Sequence, residues 1–131
     1  SIKKKIKFPL HGAWIARRNY IYSEDFCRGI FKIIEKGKGG SIYHFSTTKL
    51  YSVKEIILKI CKIMNVSYNN FIIFKKDRIG KDKIYKLSCD KTKNELGWSA
   101  KIKFDKGILK TISYINNNFN YIKNESMNFK I

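Results

Sequence analysis

Arginine and glycine are scarce in this chain, yet the stretch Asp77-Arg-Ile-Gly-Lys-Asp-Lys-Ile-Tyr85 holds both. Of the 28 Lys and Arg side chains only four are Arg. Where Lys supplies nearly all the positive charge, a retained Arg points to work an ammonium cannot do. Its planar fork can bond two oxygens of one anion at once. Arg78 lies in this stretch, where Gly80 lets the backbone come close to a ligand. Arg18 lies in Arg18-Asn-Tyr-Ile-Tyr22, a segment of strand-like composition. These residue types allow recognition of an anion, phosphate above all. A plainer reading of Arg18 and Arg78, pairing with Asp25 or Asp82, stays open.

Metal chemistry is not indicated. Cys27, Cys61 and Cys89 are far apart, no Cys-x-x-Cys occurs, and neither His11 nor His44 stands at a zinc-ligand spacing. Cys27 and Cys61 fall in helical segments and read as small buried hydrophobes, and reduced thiols fit a cytoplasmic protein. Residues 1–7 are too polar for a signal peptide, and no apolar run approaches membrane-spanning length, so the chain reads as soluble.

The formal net charge of +18 could serve nucleic acid or an anionic membrane. The excess is nearly all Lys, comes with heavy Ile and Asn usage, and is spread along the chain rather than gathered in one block. AT-rich coding would give that trio. A basic, non-enzymatic nucleic-acid-binding module is therefore the rival reading, with nucleic acid the lesser partner. At 131 residues, 44% hydrophobic and 15% aromatic, the chain is long and apolar enough for one folded domain.

The elements that must position these residues follow from periodicity. Residues 1–12 carry no start signal: a basic extended stretch leads into Phe-Pro-Leu-His-Gly. Residues 18–22 read as a strand. From residue 24 the period is helical, with Phe26, Ile30, Ile33 and Ile34 on one face, Glu24 and Asp25 in the first turn, and Gly37 at the end. Residues 41–47 alternate like a strand. Ser52-Val-Lys-Glu55 is a capping box opening a helix with a stripe of Val53, Ile56, Ile57, Ile60, Ile63 and Met64. Residues 71–74 suggest a buried strand. Asp90 is expected to cap a short helix closed by Gly97, and Asp105 to cap the last one, with Phe104 stapled onto Ile108. The Asn-rich end should fray, giving a domain over 1–118 and a tail over 119–131. The alternation points to an α/β arrangement of few short strands with amphipathic helices. So thin a sheet leaves helix faces uncovered, and an upstream part is expected.

Four stretches together resemble a known family. Arg18-Asn-Tyr-Ile-Tyr-Ser-Glu-Asp25 is similar to the Arg-Asp-(Trp/Tyr)-hydrophobic-(Tyr/His)-Val-x-Asp motif of NAD-dependent nucleotide-sugar epimerases and dehydratases, the extended short-chain dehydrogenases/reductases. Asp77-Arg-Ile-Gly-Lys-Asp-Lys-Ile-Tyr85 resembles their Asp-Arg-Pro-Gly-His-Asp-x-x-Tyr, and Asp90-Lys-Thr-Lys-Asn-Glu-Leu-Gly-Trp98 the Leu-Gly-Trp stretch after it. Ile42-Tyr-His-Phe-Ser46 is similar to their Tyr-Asn-Ile-Gly strand. The order agrees from about residue 9 to 115, and the pattern lies nearer the 4,6-dehydratases than the 4-epimerases.

The resemblance implies the C-terminal, substrate-binding lobe of such an enzyme. Arg18 and Arg78 would meet the diphosphate of a nucleotide sugar. Asp82 would bond a ribose hydroxyl or brace Arg78, and Tyr85 would be core filler first and a ligand contact second. Leu10 and His11 would lie beside the nucleobase. His44 replaces the family's usual Asn, Lys81 a His frequent in dehydratases, and Ile79 a Pro. Leu96-Gly97-Trp98 is a structural signature. The parent enzyme would hold NAD, form a homodimer, oxidise the sugar at C4 and lose water across C5 and C6. The family's Gly-x-x-Gly-x-x-Gly loop and Tyr-x-x-x-Lys pair are absent from these 131 residues. The NAD site and catalytic residues are therefore expected in a Rossmann half not contained here.

Overall fold

The computed structural model describes residues 1–12, 14–76 and 82–124. Strand β1 (Phe8–His11) pairs in parallel with β4 (Ile72–Lys75), Phe8 opposite Ile72 and His11 opposite Lys75. A second sheet has the order β3-β2-β5, with β2 (Arg17–Asn19) central between antiparallel β3 (Leu50–Ser52) and parallel β5 (Ile84–Tyr85). The helices are α1 (Ser23–Lys36), α2 (Val53–Ile63), α3 (Asp90–Leu96), α4 (Phe104–Asn117) and α5 (Phe119–Ile122). The α/β reading with few short strands holds. No helix among the described residues is long and apolar enough to cross a membrane.

The stretch over 41–47 forms no strand pair among the described residues. Alternation alone does not make a strand, which needs a partner for its backbone groups. The segment nevertheless runs against α1 and α3. The His44 carbonyl accepts the Thr92 hydroxyl at 2.7 Å, and the Ser46 carbonyl accepts the Cys89 thiol at 3.4 Å. Phe45 reaches inward, edge-on to Trp98 at 4.8 Å and to Phe26 at 5.6 Å between ring centres.

This is where the core sits. Asp25, Thr92, Leu96 and Trp98 are buried together. Gly97 closes α3 in the left-handed region at φ +63°, and its N–H donates to the Lys93 carbonyl at 3.0 Å. Gly29 meets the core from α1. A Cβ there would stand 2.4 Å from the ring of Phe45, which Phe26 and Trp98 hold from other sides. Gly29→Ala should therefore destabilise by about 1–2 kcal/mol, because overpacking outweighs Ala's helix preference. The urea midpoint measures this, and a midpoint at or above the native value would refute it.

The α2 capping box is present: the Glu55 N–H donates to Ser52 Oγ at 3.1 Å and the Ser52 N–H to Glu55 Oε2 at 2.6 Å. The Ser52 N–H, with its hydroxyl, holds the Glu55 carboxyl below the usual carboxylate range. The two expected Asp caps differ. Each lies inside the first turn, where it no longer faces its own helix's free N–H groups. Asp90 accepts from the Ser88 hydroxyl at 2.6 Å, and Asp105 pairs with Lys59 at 2.7 Å. Such acidic residues still favour the positive helix end. Cys61 is buried as expected, but Cys27 is exposed because it lies on the side of α1 turned from the core. The end expected to fray begins as α5, with Lys3 Nζ 4.7 Å from the Phe119 ring centre.

Candidate anion-binding site

β2 carries Arg18 opposite Tyr51 on one side and Tyr85 on the other. Its guanidinium donates from Nη1 to the Arg17 carbonyl at 2.8 Å and from Nη2 to the Asp82 carbonyl at 3.0 Å. It lies 5.8 Å from the centre of the Tyr85 ring. Main-chain oxygens and an aromatic ring thus orient the fork without neutralising it. A guanidinium has five N–H donors, so donors remain for an anion. Among the described residues no carboxylate forms an ion pair with Arg18: Asp25 takes Arg28, and Asp82 offers its backbone carbonyl. Tyr85, read first as core filler, is 51% exposed. Strand β5 lies at the sheet edge, and its Tyr ring is available as a platform.

The neighbouring side chains have structural tasks. Arg17 bonds the Leu50 carbonyl at 3.0 Å and approaches Glu55 at 3.4 Å. Asn19 donates to the carbonyls of Thr47 at 2.6 Å and Lys49 at 3.2 Å, while its Oδ1 accepts the Leu87 N–H at 3.4 Å. It ties β2 to the loops on both sides. Sequence reading passed Asn19 over, although an Asn inside a strand is itself a signal, since the residue type is disfavoured there without specific bonds.

The other expected ligand residues are more scattered. Leu10 is buried in β1, and His11 ends that strand with Nδ1 3.3 Å from the Lys76 carbonyl. His44 has an exposed side chain and acts through its carbonyl on Thr92. Among the described residues no hydrogen bond or ring contact joins Leu10 or His44 to Arg18. Arg78 and Lys81 lie outside the described residues, between the end of β4 and the start of β5. Both strands border that interval: β4 is paired with Leu10 and His11, and β5 with Arg18.

No group of three or more His, Cys, Asp or Glu that could hold a metal ion occurs among the described residues. The site can bind and orient an anion; its described side chains include no paired acid and base. Nor does the nearest helix start, at the β3–α2 junction, fit a pyrophosphate. There the N–H groups of Val53 and Lys54 already donate to the carbonyls of Ala16 and Trp14, at 3.3 and 3.0 Å, and that of Glu55 to Ser52. A pyrophosphate cradle needs such donors open.

The family model for GDP-mannose 4,6 dehydratase matches residues 1–111. The chain is 30% identical to dTDP-glucose 4,6-dehydratase of Shigella flexneri over 122 residues, 88% of this chain and 34% of that protein. It is 28% identical to human dTDP-D-glucose 4,6-dehydratase over 123 residues, 90% of this chain and 35% of that protein. The chain thus spans about a third of the length of the curated relatives it matches. Among solved structures, dTDP-glucose 4,6-dehydratase from Bacillus anthracis in complex with NAD superposes with a TM-score of 0.82 at 24% identity, over 92% of this chain and 38% of that one. UDP-glucose 4-epimerase from Thermotoga maritima, with UDP-glucose, gives 0.79 at 22% identity over 88% and 37%. At these identities the two structures speak for the fold.

Proposed function

This chain belongs to the GDP-mannose 4,6 dehydratase family, and from that premise we propose that it is the nucleotide-sugar-binding part of an NAD-dependent 4,6-dehydratase. The observation that carries the reading is Arg18, an oriented guanidinium with no carboxylate partner among the described residues. It offers a fork to the substrate diphosphate, with Arg78 as second arm and Tyr85 beneath. Leu10 and His11 serve the nucleobase, and His44, Lys81 and Asp82 the remaining hydroxyls and phosphates. NAD would supply the redox chemistry, but the β3–α2 junction does not fit its pyrophosphate, and no redox step is assigned to these residues. The 4-epimerase alternative has fold-level likeness behind it, whereas both sequence relatives named above are dehydratases.

A dinucleotide-binding part is the partner this reading requires. The apolar face of α1 is turned outward, with Phe26, Ile30, Phe31 and Ile34 exposed, Ile34 by 74%. Beside it, residues 41–46 present a backbone edge without a strand partner among the described residues. That face and that edge would meet the sheet of the other part. From α2, Ile56, Ile57, Ile60 and Met64 line a groove within the chain instead. The homodimer implied by the family is likewise a proposal.

Calorimetry of the 131-residue chain with a nucleoside diphosphate hexose tests the binding role. A diphosphate offers two phosphate groups, so affinity should fall only modestly between about 50 and 200 mM salt, whereas a nucleic-acid binder contacting many phosphates loses several powers of ten. Alone, the chain should bind NAD poorly and show no turnover. Salt dependence of the steep kind, with nucleic acid bound in preference to the nucleotide sugar, would favour the rival module.

A further inference from the structure

We propose that the groove between α2, α4 and the first four residues binds a single-chain anionic amphiphile, a long-chain fatty acid being the simplest. The groove has a volume of about 620 Å³, inside the range of roughly 300–1,000 Å³ usual for ligand sites. Ile56, Ile57 and Ile60 line it from α2, and Ile108, Ile112 and Ile115 from α4. The polar groups within the wall are already engaged or neutral. Thr111 donates its hydroxyl to the Gly107 carbonyl at 2.9 Å, and burial pushes the Cys61 thiol up, so it stays protonated.

Charge enters at one end. Lys3 and Lys4 line the groove beside the C-terminus of α4, where Lys3 Nζ donates to Asn116 Oδ1 and Lys4 Nζ to the Lys123 carbonyl, each at 3.0 Å. Both acceptors are neutral, and among the described residues no carboxylate forms an ion pair with either ammonium.

Packing and charge select the occupant. The groove is half-open, so its apolar wall faces water and offers it few hydrogen-bond partners. A hydrocarbon tail would displace that water and cover the wall, and a carboxylate would meet the two ammonium groups at the lysine end. An amphipathic helix fits less well, since it would carry polar groups along its whole length, whereas this slot is charged at one end.

The test titrates the full 131-residue chain with palmitoleic acid, below its aggregation concentration, and in parallel with palmitoleyl alcohol. The acid should bind about tenfold more tightly than the alcohol, and the double variant Lys3→Gln/Lys4→Gln should remove that difference while leaving alcohol binding unchanged. Ile57→Phe and Ile112→Phe, made separately, should narrow the groove and weaken both ligands by at least about tenfold. Phe31→Gln, on the exposed face of α1, should change neither. Equal binding of acid and alcohol overturns the proposal. So does native affinity in a folded groove variant, or loss of binding in Phe31→Gln. The two lysines are surface positions, so the acid-to-alcohol comparison remains decisive even if both groove variants fail to fold. It is independent of the nucleotide-sugar reading, because no residue of the Arg18 site lines the groove.

Discussion

Asp25→Ala is expected to remove about 2–4 kcal/mol of stability, a large share of what a single domain ordinarily has. The Asp25 side chain is wholly buried, and three polar groups converge on it. Its carboxylate accepts the Lys101 N–H at 3.1 Å and the Ile102 N–H at 2.8 Å, and it pairs with Arg28. Its own carbonyl accepts the indole N–H of Trp98 at 2.9 Å. One residue in the first turn of α1 therefore fixes the chain leaving α3. Truncation leaves two part-buried N–H groups without acceptors and Arg28, itself a third exposed, without its counter-charge. Asp25→Asn should recover little, since its amide nitrogen would face donors. Glu24→Ala, one residue away, breaks a pair with Lys110 at 2.6 Å that is half-exposed, and should cost no more than about 1 kcal/mol. Urea unfolding followed by circular dichroism measures all three. A loss below about 1 kcal/mol for Asp25→Ala would mean that α1 is not anchored this way.

Asp25 also shows what could and could not be read in advance. Sequence placed it in the first turn of a helix, a local fact that local residues decide. Its burial depends on residues 98–102 returning to it, which no local pattern states. The same division runs through the fold. The capping box at Ser52, the left-handed Gly97 and the stripes of α1 and α2 were legible because each depends on neighbours within one or two turns. The pairing of β1 with β4 was not, since its register joins segments far apart in the chain. Residues 41–47 have a strand's alternation and find no strand partner among the described residues, because pairing belongs to two segments rather than one. At the site, scarcity of Arg singled out Arg18 on chemical grounds, and the family motif linked it with Asp82 and Tyr85. That Asp82 contributes its carbonyl, and Tyr85 an exposed ring, required the folded backbone.

Arg18→Ala is expected to weaken nucleotide-sugar binding roughly tenfold to a hundredfold, the worth of a charge-assisted bond to a phosphate. The measurement belongs in a protein that carries this chain together with a dinucleotide-binding part, where NAD affinity serves as the control and should hardly change. Arg18 is held by two carbonyls and a ring, so its fork arrives oriented and little rotamer freedom is lost on binding. Arg18→Lys should recover only part of the affinity, because an ammonium keeps the charge but cannot make two parallel bonds. Tyr85→Leu should fall between the native protein and Arg18→Ala, since it removes the ring under the guanidinium and leaves both carbonyl contacts. Arg78, outside the described residues, is proposed as the second arm, and Arg78→Ala should lose affinity by a similar factor. If both arms grip one diphosphate, the double variant should lose less than the two single losses added together, since a ligand released by one arm is poorly held by the other. Strict additivity would place the two Arg residues on separate groups of the ligand. Native affinity in Arg18→Lys would mean that charge alone suffices and that the fork has no part in recognition.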